Sequence, residues 1–166
     1  MAELVARTGR QLQRYKDGCR LIAGCIPFRY RNCVENGNKV VEGGWENDET
    51  VEQAAVREAV EEAGVRGDLL HFLGYYSFKS KTLQDEFCPE GLCKAAMFAL
   101  LVKEELQFWP EQSTRQRSWL TIPEAMERCR HQWMRMALEE GFLKWHEDTS
   151  KGENNLISSD LSLEQD

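Results

Sequence analysis

The sequence has no apolar run long enough to cross a bilayer: the longest, Ala95 to Val102, falls far short of the roughly 20 residues that a spanning helix needs. It has no excess of basic charge. A net charge of −7 argues against non-specific nucleic-acid binding. It has no internal repeat and shows no secretory signal. The six cysteines therefore have reduced thiols as their default state. Cys88 and Cys93 lie close together, but no second close pair completes a zinc site. A thiol nucleophile would need a base and an orienting group, and neither is recognisable. Cys25 lies in an apolar stretch and reads as packing. His71 and His131 lie in apolar contexts that suit packing or solvent better than catalysis. Trp119 and Trp133 read as core before they read as base-stacking platforms.

What is present suits one globular domain. The chain has 166 residues, of which 42% are hydrophobic, enough to bury a real core. The stretch from His146 to Asp166 carries −5, which leaves the rest close to balance at −2. A polyanionic ligand is compatible with that body if bases and metal gather at its site. The acidic stretch 146–166 is expected to be a disordered tail. Residues 1–17, with several arginines and the single acid Glu3 before Lys16, are expected to be a flexible leader. The domain is then 18–145. The expected compartment is the cytoplasm, with the nucleus or mitochondrion as alternatives. No membrane and no nucleic-acid partner are expected, and the protein is expected to be a monomer.

Arg20 to Arg29 is rich in β-branched and apolar residues and predicts a first core strand. Pro27 within it suits an edge or a bulge. Asn36-Gly37-Asn38 is a turn signal, and Lys39 to Glu42 begins a short extended segment. Leu69 to Phe78 predicts a further strand, and Lys79 to Gly91 a loop. Lys94 to Lys103 is nearly continuous apolar sequence and predicts a central strand. Glu104 to Pro110 reads as a connector, and Arg115 to Leu120 as a short strand. Thr121 and Pro123 mark the start of a helix over about 124–140. Phe142 to Trp145 continues its docking face.

The stretch from Gly43 to Val65 organises the rest. Thr50 and Gln53 have capping-box spacing, and Gly64 suits a left-handed helix end. On the helix between them Glu58 shares a face with Glu61 and Glu62. Three carboxylates crowded on one face repel, and a hard divalent cation such as Mg²⁺ is the simplest compensation. An acidic helical face is ordinarily only a solvated one, so the surrounding spacing decides. Gly43, five residues, Glu49, seven residues, Arg57-Glu58, an apolar residue, any residue, Glu61-Glu62, any residue, Gly64 and apolar Val65 match the Nudix box at every defined position. At residue frequencies of roughly one in sixteen, its seven fixed positions coincide by chance on the order of once in 10⁸ starts. The stretch therefore resembles a Nudix hydrolase.

The resemblance implies an α/β fold: a Nudix-type α/β/α sandwich with a mixed sheet. It implies Mg²⁺-dependent cleavage of a diphosphate, with Mn²⁺ as an alternative ion. Glu58 and Glu62 are then the primary metal ligands, joined by Glu49 and by the carbonyl of Gly43. Glu61 is the candidate base, and Arg57 braces the carboxylates. Outside the box, the strand leading to Cys25-Ile26-Pro27-Phe28-Arg29, the run Glu62 to Gly67, and Arg115-Gln116-Arg117-Ser118-Trp119 are similar to the plant branch of diphosphoinositol polyphosphate phosphohydrolases. That branch implies diphosphoinositol polyphosphates or diadenosine polyphosphates as the small-molecule substrate. Arg20, Lys79, Lys81, Lys94, Arg115 and Arg117 are the bases expected to bind it. An ADP-ribose or nucleotide-sugar pyrophosphatase shares the same box and is the alternative.

One departure from the family stands out. Val41-Glu42 runs directly into Gly43-Gly44, where relatives carry a strand and its return, on the order of ten to twenty residues. The join resembles an internal deletion. It raises the expectation that a strand pair before Gly43 is missing, and with it the alternative of a catalytically impaired form that at most binds inositol phosphates.

Overall fold

A computed structural model describes residues 14–30, 34–36, 41–80, 90–115 and 117–152. Lys81, Cys33, Cys88, Gly37 and Asn38 lie outside the described residues, as do 1–13 and 153–166.

The described strands are β1 (Tyr15–Lys16), β2 (Cys19–Tyr30), β3 (Val34–Asn36), β4 (Val41–Gly44), β5 (Val65–Lys79), β6 (Leu92–Glu105) and β7 (Leu120–Thr121). They form one mixed sheet with β2 at its centre. One edge of β2 pairs in parallel with β6 from Arg20 to Phe28. The other edge takes β1, β4 and β3 in turn, all antiparallel. β5 lies antiparallel to β6 at one margin, and β7 pairs with β3 at the other. The short join before Gly43 has a specific consequence here. β4 sits directly against Ile22 to Cys25, so β2 is paired on both edges at that level and is not left uncovered. Among the described residues β4 pairs only with β2.

Helix α1 (Val51–Ala63) covers one face of the sheet. Its Ala54, Ala55 and Ala59 pack with Ala23, Cys25, Ala96, Phe98 and Leu100. Small side chains on that stripe let the helix backbone lie close to the strands. The other face is covered by α2 (Ile122–Arg128), α3 (Gln132–Met136), a π-helical turn at Ala137–Leu143 and α4 (Lys144–Gly152). Ile22, Ile26, Phe28, Met97, Trp133, Leu138 and Phe142 form the core on that side. The result is the expected α/β/α sandwich. β2 is buried on both faces, which is why its sequence is apolar without alternation.

The helix expected over 124–140 is divided. Cys129 and His131 are extended, and this breaks the segment into α2 and α3. Among the described residues, the strand expected over 115–120 is found at Leu120 and continues to Thr121, where β3 offers a partner.

Both expected domain boundaries fall inside structured segments. Tyr15 and Lys16 pair with Arg20 and Cys19, so the leader as delimited includes a strand. The acidic tail as delimited includes α4 from His146 onward, and His146 is 2% exposed. Its Nε2 lies 2.8 Å from the Tyr30 hydroxyl, 116 residues away in sequence. Its ring stacks on Phe142 at 5.6 Å. Burial lowers the imidazole from its ordinary value of 6.5 to about 4. Between these values the unfolded chain binds a proton that the folded chain refuses. Stability from this group is therefore complete above pH 6.5 and is lost as pH falls, levelling off below about 4. The loss should total about 3 kcal/mol. In urea titrations at pH 7 and pH 4, His146→Phe should show a difference about 3 kcal/mol smaller than the parent. Equal differences would rule out a neutral buried imidazole.

Candidate active site

The site is built on α1 and the loop before it. Thr50 Oγ1 accepts the Gln53 amide at 3.1 Å, and Gln53 Oε1 accepts the Thr50 amide at 2.9 Å. This capping box starts the helix where its sequence predicts. Gly64 ends it in the left-handed conformation, with φ 64°. From there the helical repeat places Glu58, Glu61 and Glu62 together, and each is buried. Glu49, on the loop before the helix, is buried with them.

Arg57 joins three of these carboxylates. It donates to Glu49 at 2.7 and 3.0 Å, to Glu58 at 2.8 Å and to Glu61 at 2.9 Å. Burial works against its charged form, but the hydrogen bonds to Glu49 and Glu61 and the charges of Glu58 and Glu49 outweigh it. The guanidinium is held protonated, above its ordinary value. Glu62 pairs with Arg115 at 3.4 Å, and Arg115 also donates to Glu111 at 3.1 Å.

Gly43 lies against Glu58. A Cβ at that position would overlap the Glu58 carboxylate, so the missing side chain is what allows the carboxylate to reach the β4 backbone. Beneath the cluster, Cys25 is fully buried. Burial, then the charges of Glu62 and Glu58, push its thiol well above the ordinary range, and it serves as a packing group.

The donor set fits a hard divalent cation: carboxylate oxygens crowd at one helix face beside the backbone of Gly43. Among the described residues no three acidic, cysteine or histidine side chains are spaced, as they stand, to hold a metal ion. The guanidinium groups occupy their oxygens instead.

The expected substrate bases are distributed differently. Arg115 reaches the cluster. Arg117 does not; it donates to the carbonyls of Ala63 and Gly64 at the end of α1. Arg20 is buried, and strand alternation puts it with Ile22 and Ile26 on the sheet face turned away from α1. Lys79 and Lys94 are exposed. Lys94 lies on the α1 face, its ammonium 4.6 Å from the Tyr75 ring centroid.

Three residues escape the sequence reading. Arg14, in the expected leader, donates to the carbonyls of Glu46, Asn47 and Glu49 and so shapes the loop that presents Glu49. Trp109 packs on Gly64. Glu111 bonds both Arg115 and, through its amide, the Glu61 carbonyl at 3.0 Å. No local pattern marks the contacts of Arg14 and Trp109 or the bond from Glu111 to the Glu61 carbonyl, because each joins segments distant in sequence.

Comparison with known proteins bears on this geometry. A family model described as "NUDIX domain" matches residues 29–141. The chain is 62% identical over 174 residues to "Nudix hydrolase 16, mitochondrial" of Arabidopsis thaliana, covering 92% of this chain and 97% of that protein. It is 44% identical over 187 residues to "Nudix hydrolase 13, mitochondrial" of the same plant, covering 98% and 93%. Both alignments are longer than the 166 residues of this chain, so the chain lacks residues that these relatives carry. Among solved structures, the NUDIX domain of a Shewanella oneidensis protein complexed with ADP ribose is similar with a TM-score of 0.60 at 13% identity, over 79% of this chain and 90% of that one. A C. elegans Ap4A hydrolase binary complex is similar with a TM-score of 0.55 at 18% identity, over 75% and 96%. At these identities the solved structures speak to the fold.

Proposed function

The chain belongs to the Nudix hydrolase family, and we propose that it is a Mg²⁺-dependent diphosphatase of diphosphoinositol polyphosphates or diadenosine polyphosphates. The observation that carries this reading is the convergence of buried Glu49, Glu58, Glu61 and Glu62 on Arg57 beside Gly43. Splitting a phosphoanhydride requires water to attack phosphorus while charge builds on the phosphate oxygens. A bound divalent cation supplies neutralisation of that charge. Glu58 and Glu62, with Glu49, would hold it, and Gly43 leaves room for its backbone carbonyl to contribute. Glu61 accepts the proton of the attacking water. Arg57 holds Glu61 and Glu58 at a fixed separation. Arg115 stands at the edge of the cluster, where it can receive a phosphate oxygen in exchange for Glu62.

The peripheral bases bear on substrate class. Lys79 and Lys94 offer positive charge at one end of β5 and β6 and suit a highly phosphorylated ligand. Beside Lys94, exposed Tyr75 and Phe72 meet edge to face at 5.1 Å, which favours a nucleoside-bearing substrate as a second reading. An ADP-ribose or nucleotide-sugar pyrophosphatase is a further alternative. We also place the residues missing relative to the plant relatives before Gly43, which makes an impaired form the competing outcome.

The test is phosphate release from diphosphoinositol pentakisphosphate, diadenosine polyphosphates, ADP-ribose and a nucleotide sugar, with Mg²⁺, with Mn²⁺ and with a chelator. Metal-dependent turnover of one of the first two is expected. Preference for ADP-ribose would transfer the assignment to the alternative, and no turnover by folded protein would favour the impaired form. Organelle fractionation would test mitochondrial import, which the relatives' names suggest for this chain as well, against the cytoplasm and nucleus.

A further inference from the structure

The sheet-side packing of α1 leaves its C-terminal end to be secured by something else. The helix has no basic residue in its last turn, although its terminal carbonyls favour a nearby positive charge. That charge comes from 54 residues away: Arg117 Nη1 donates to Ala63 O at 3.1 Å and to Gly64 O at 3.0 Å. The Arg117 guanidinium lies 4.3 Å from the centroid of the Trp109 ring. Trp109 in turn packs on Gly64, where a Cβ would come within 2.7 Å of the indole carbons. Two backbone bonds complete the attachment. Leu106 N donates to Gly64 O at 2.7 Å, and Glu111 N donates to Glu61 O at 3.0 Å.

The same loop also acts on the side chains of the site. Arg115 bonds Glu62 and Glu111. The carbonyl of Glu61 and the carboxylate of Glu62 are thus both held by residues 111–115. Glu105 steadies the far end, accepting from Arg29 at 3.2 Å and from Trp119 Nε1 at 2.9 Å, with Arg117 Nε at 4.0 Å.

We propose that Trp109 and Arg117 are positioning residues: they clasp the loop 106–115 onto the end of α1 and so set Glu61 and Glu62 for metal and water. The expected role of Arg117 as a substrate ligand is replaced by this one, because its guanidinium is spent on backbone carbonyls and an indole face. The inference rests on reading α1 as the metal-binding helix. Small displacements of a supporting residue cost much at a site whose ligands must keep a fixed geometry.

The test compares the parent chain with Arg117→Ala and Arg117→Lys. Three quantities are read: Mn²⁺ affinity by electron paramagnetic resonance, kcat and KM on the substrate found active, and amide exchange at residues 61–65. Arg117→Ala should weaken Mn²⁺ binding and lower kcat, each by about tenfold or more, while KM stays within about twofold. Exchange at 61–65 should quicken by about tenfold or more. Arg117→Lys should recover part of each effect, since an ammonium keeps the charge and loses the planar stack. A raised KM with unchanged Mn²⁺ affinity would overturn the proposal and return Arg117 to the substrate. A lower melting temperature with Mn²⁺ affinity and kcat unchanged would overturn it too, leaving a purely structural contact. If the parent itself binds no Mn²⁺, the functional reading fails, and exchange at 61–65 alone decides: unchanged exchange in Arg117→Ala sinks the clasp.

Discussion

Glu61→Gln should lower turnover by roughly 10²- to 10⁴-fold, the range expected when a general base is removed. The side chain is 7% exposed and accepts from Arg57 at 2.9 Å. Glutamine keeps its size and one acceptor oxygen but cannot take a proton from water. Two effects on stability oppose each other. A charge-assisted hydrogen bond weakens, while repulsion from Glu58 and Glu62 is relieved. The melting behaviour should therefore stay near that of the parent, with ΔΔG within about 1 kcal/mol. Rates measured at saturating Mg²⁺ and substrate check the first part, and urea unfolding checks the second. Turnover within about threefold of the parent would remove Glu61 from the role of base. Glu58→Gln serves as a contrast. It should raise the Mg²⁺ concentration needed for half-maximal rate, because a ligand is lost along with the charge.

Arg57→Ala should destabilise the metal-free protein by about 3–5 kcal/mol, the usual cost of breaking a buried ion pair from one side. Its side chain is 15% exposed and meets three carboxylates that are each 9% exposed or less. Removing it leaves those carboxylates buried beside one another without the guanidinium they share. Lysine should recover little, since one ammonium cannot reproduce a planar fork that reaches Glu49 twice and Glu58 and Glu61 once each. Addition of millimolar Mg²⁺ or Mn²⁺ should restore part of the lost stability in Arg57→Ala, because a cation held by the same oxygens takes over the neutralisation. Urea unfolding with and without metal measures both effects. A loss under about 1 kcal/mol would show that the carboxylates do not depend on Arg57.

These two expectations rest on a segment whose contacts are local. The capping box joins residues three apart, the Arg57–Glu61 pair spans four, and Gly64 ends the helix beside its own last turn. Helical periodicity alone brings such residues together, and the family motif was legible for the same reason. The central strands were legible because a strand buried on both faces must be apolar throughout. The roles of Arg20 and Arg117 were not. A basic residue in a strand or loop carries no mark of the face it will occupy. Arg20 went to the side opposite α1, and Arg117 went to a helix end. Nor did polarity reveal the fate of residues 146–152, where a polar stretch continues as a helix and His146 packs among Phe28, Tyr30 and Phe142.

The helix that carries the carboxylates was readable from spacings within a few residues, and runs of apolar side chains marked the central strands; the reaction family and the mixed sheet followed from resemblance to the Nudix box. What holds that helix in place emerges from the folded chain. Arg14 reaches Glu49 across 35 residues, Arg117 reaches Ala63 across 54, and Tyr30 meets His146 across 116. Contacts at such separations arise when sheet pairing and core burial bring distant segments together, and neither periodicity nor local propensity records where a distant side chain will arrive.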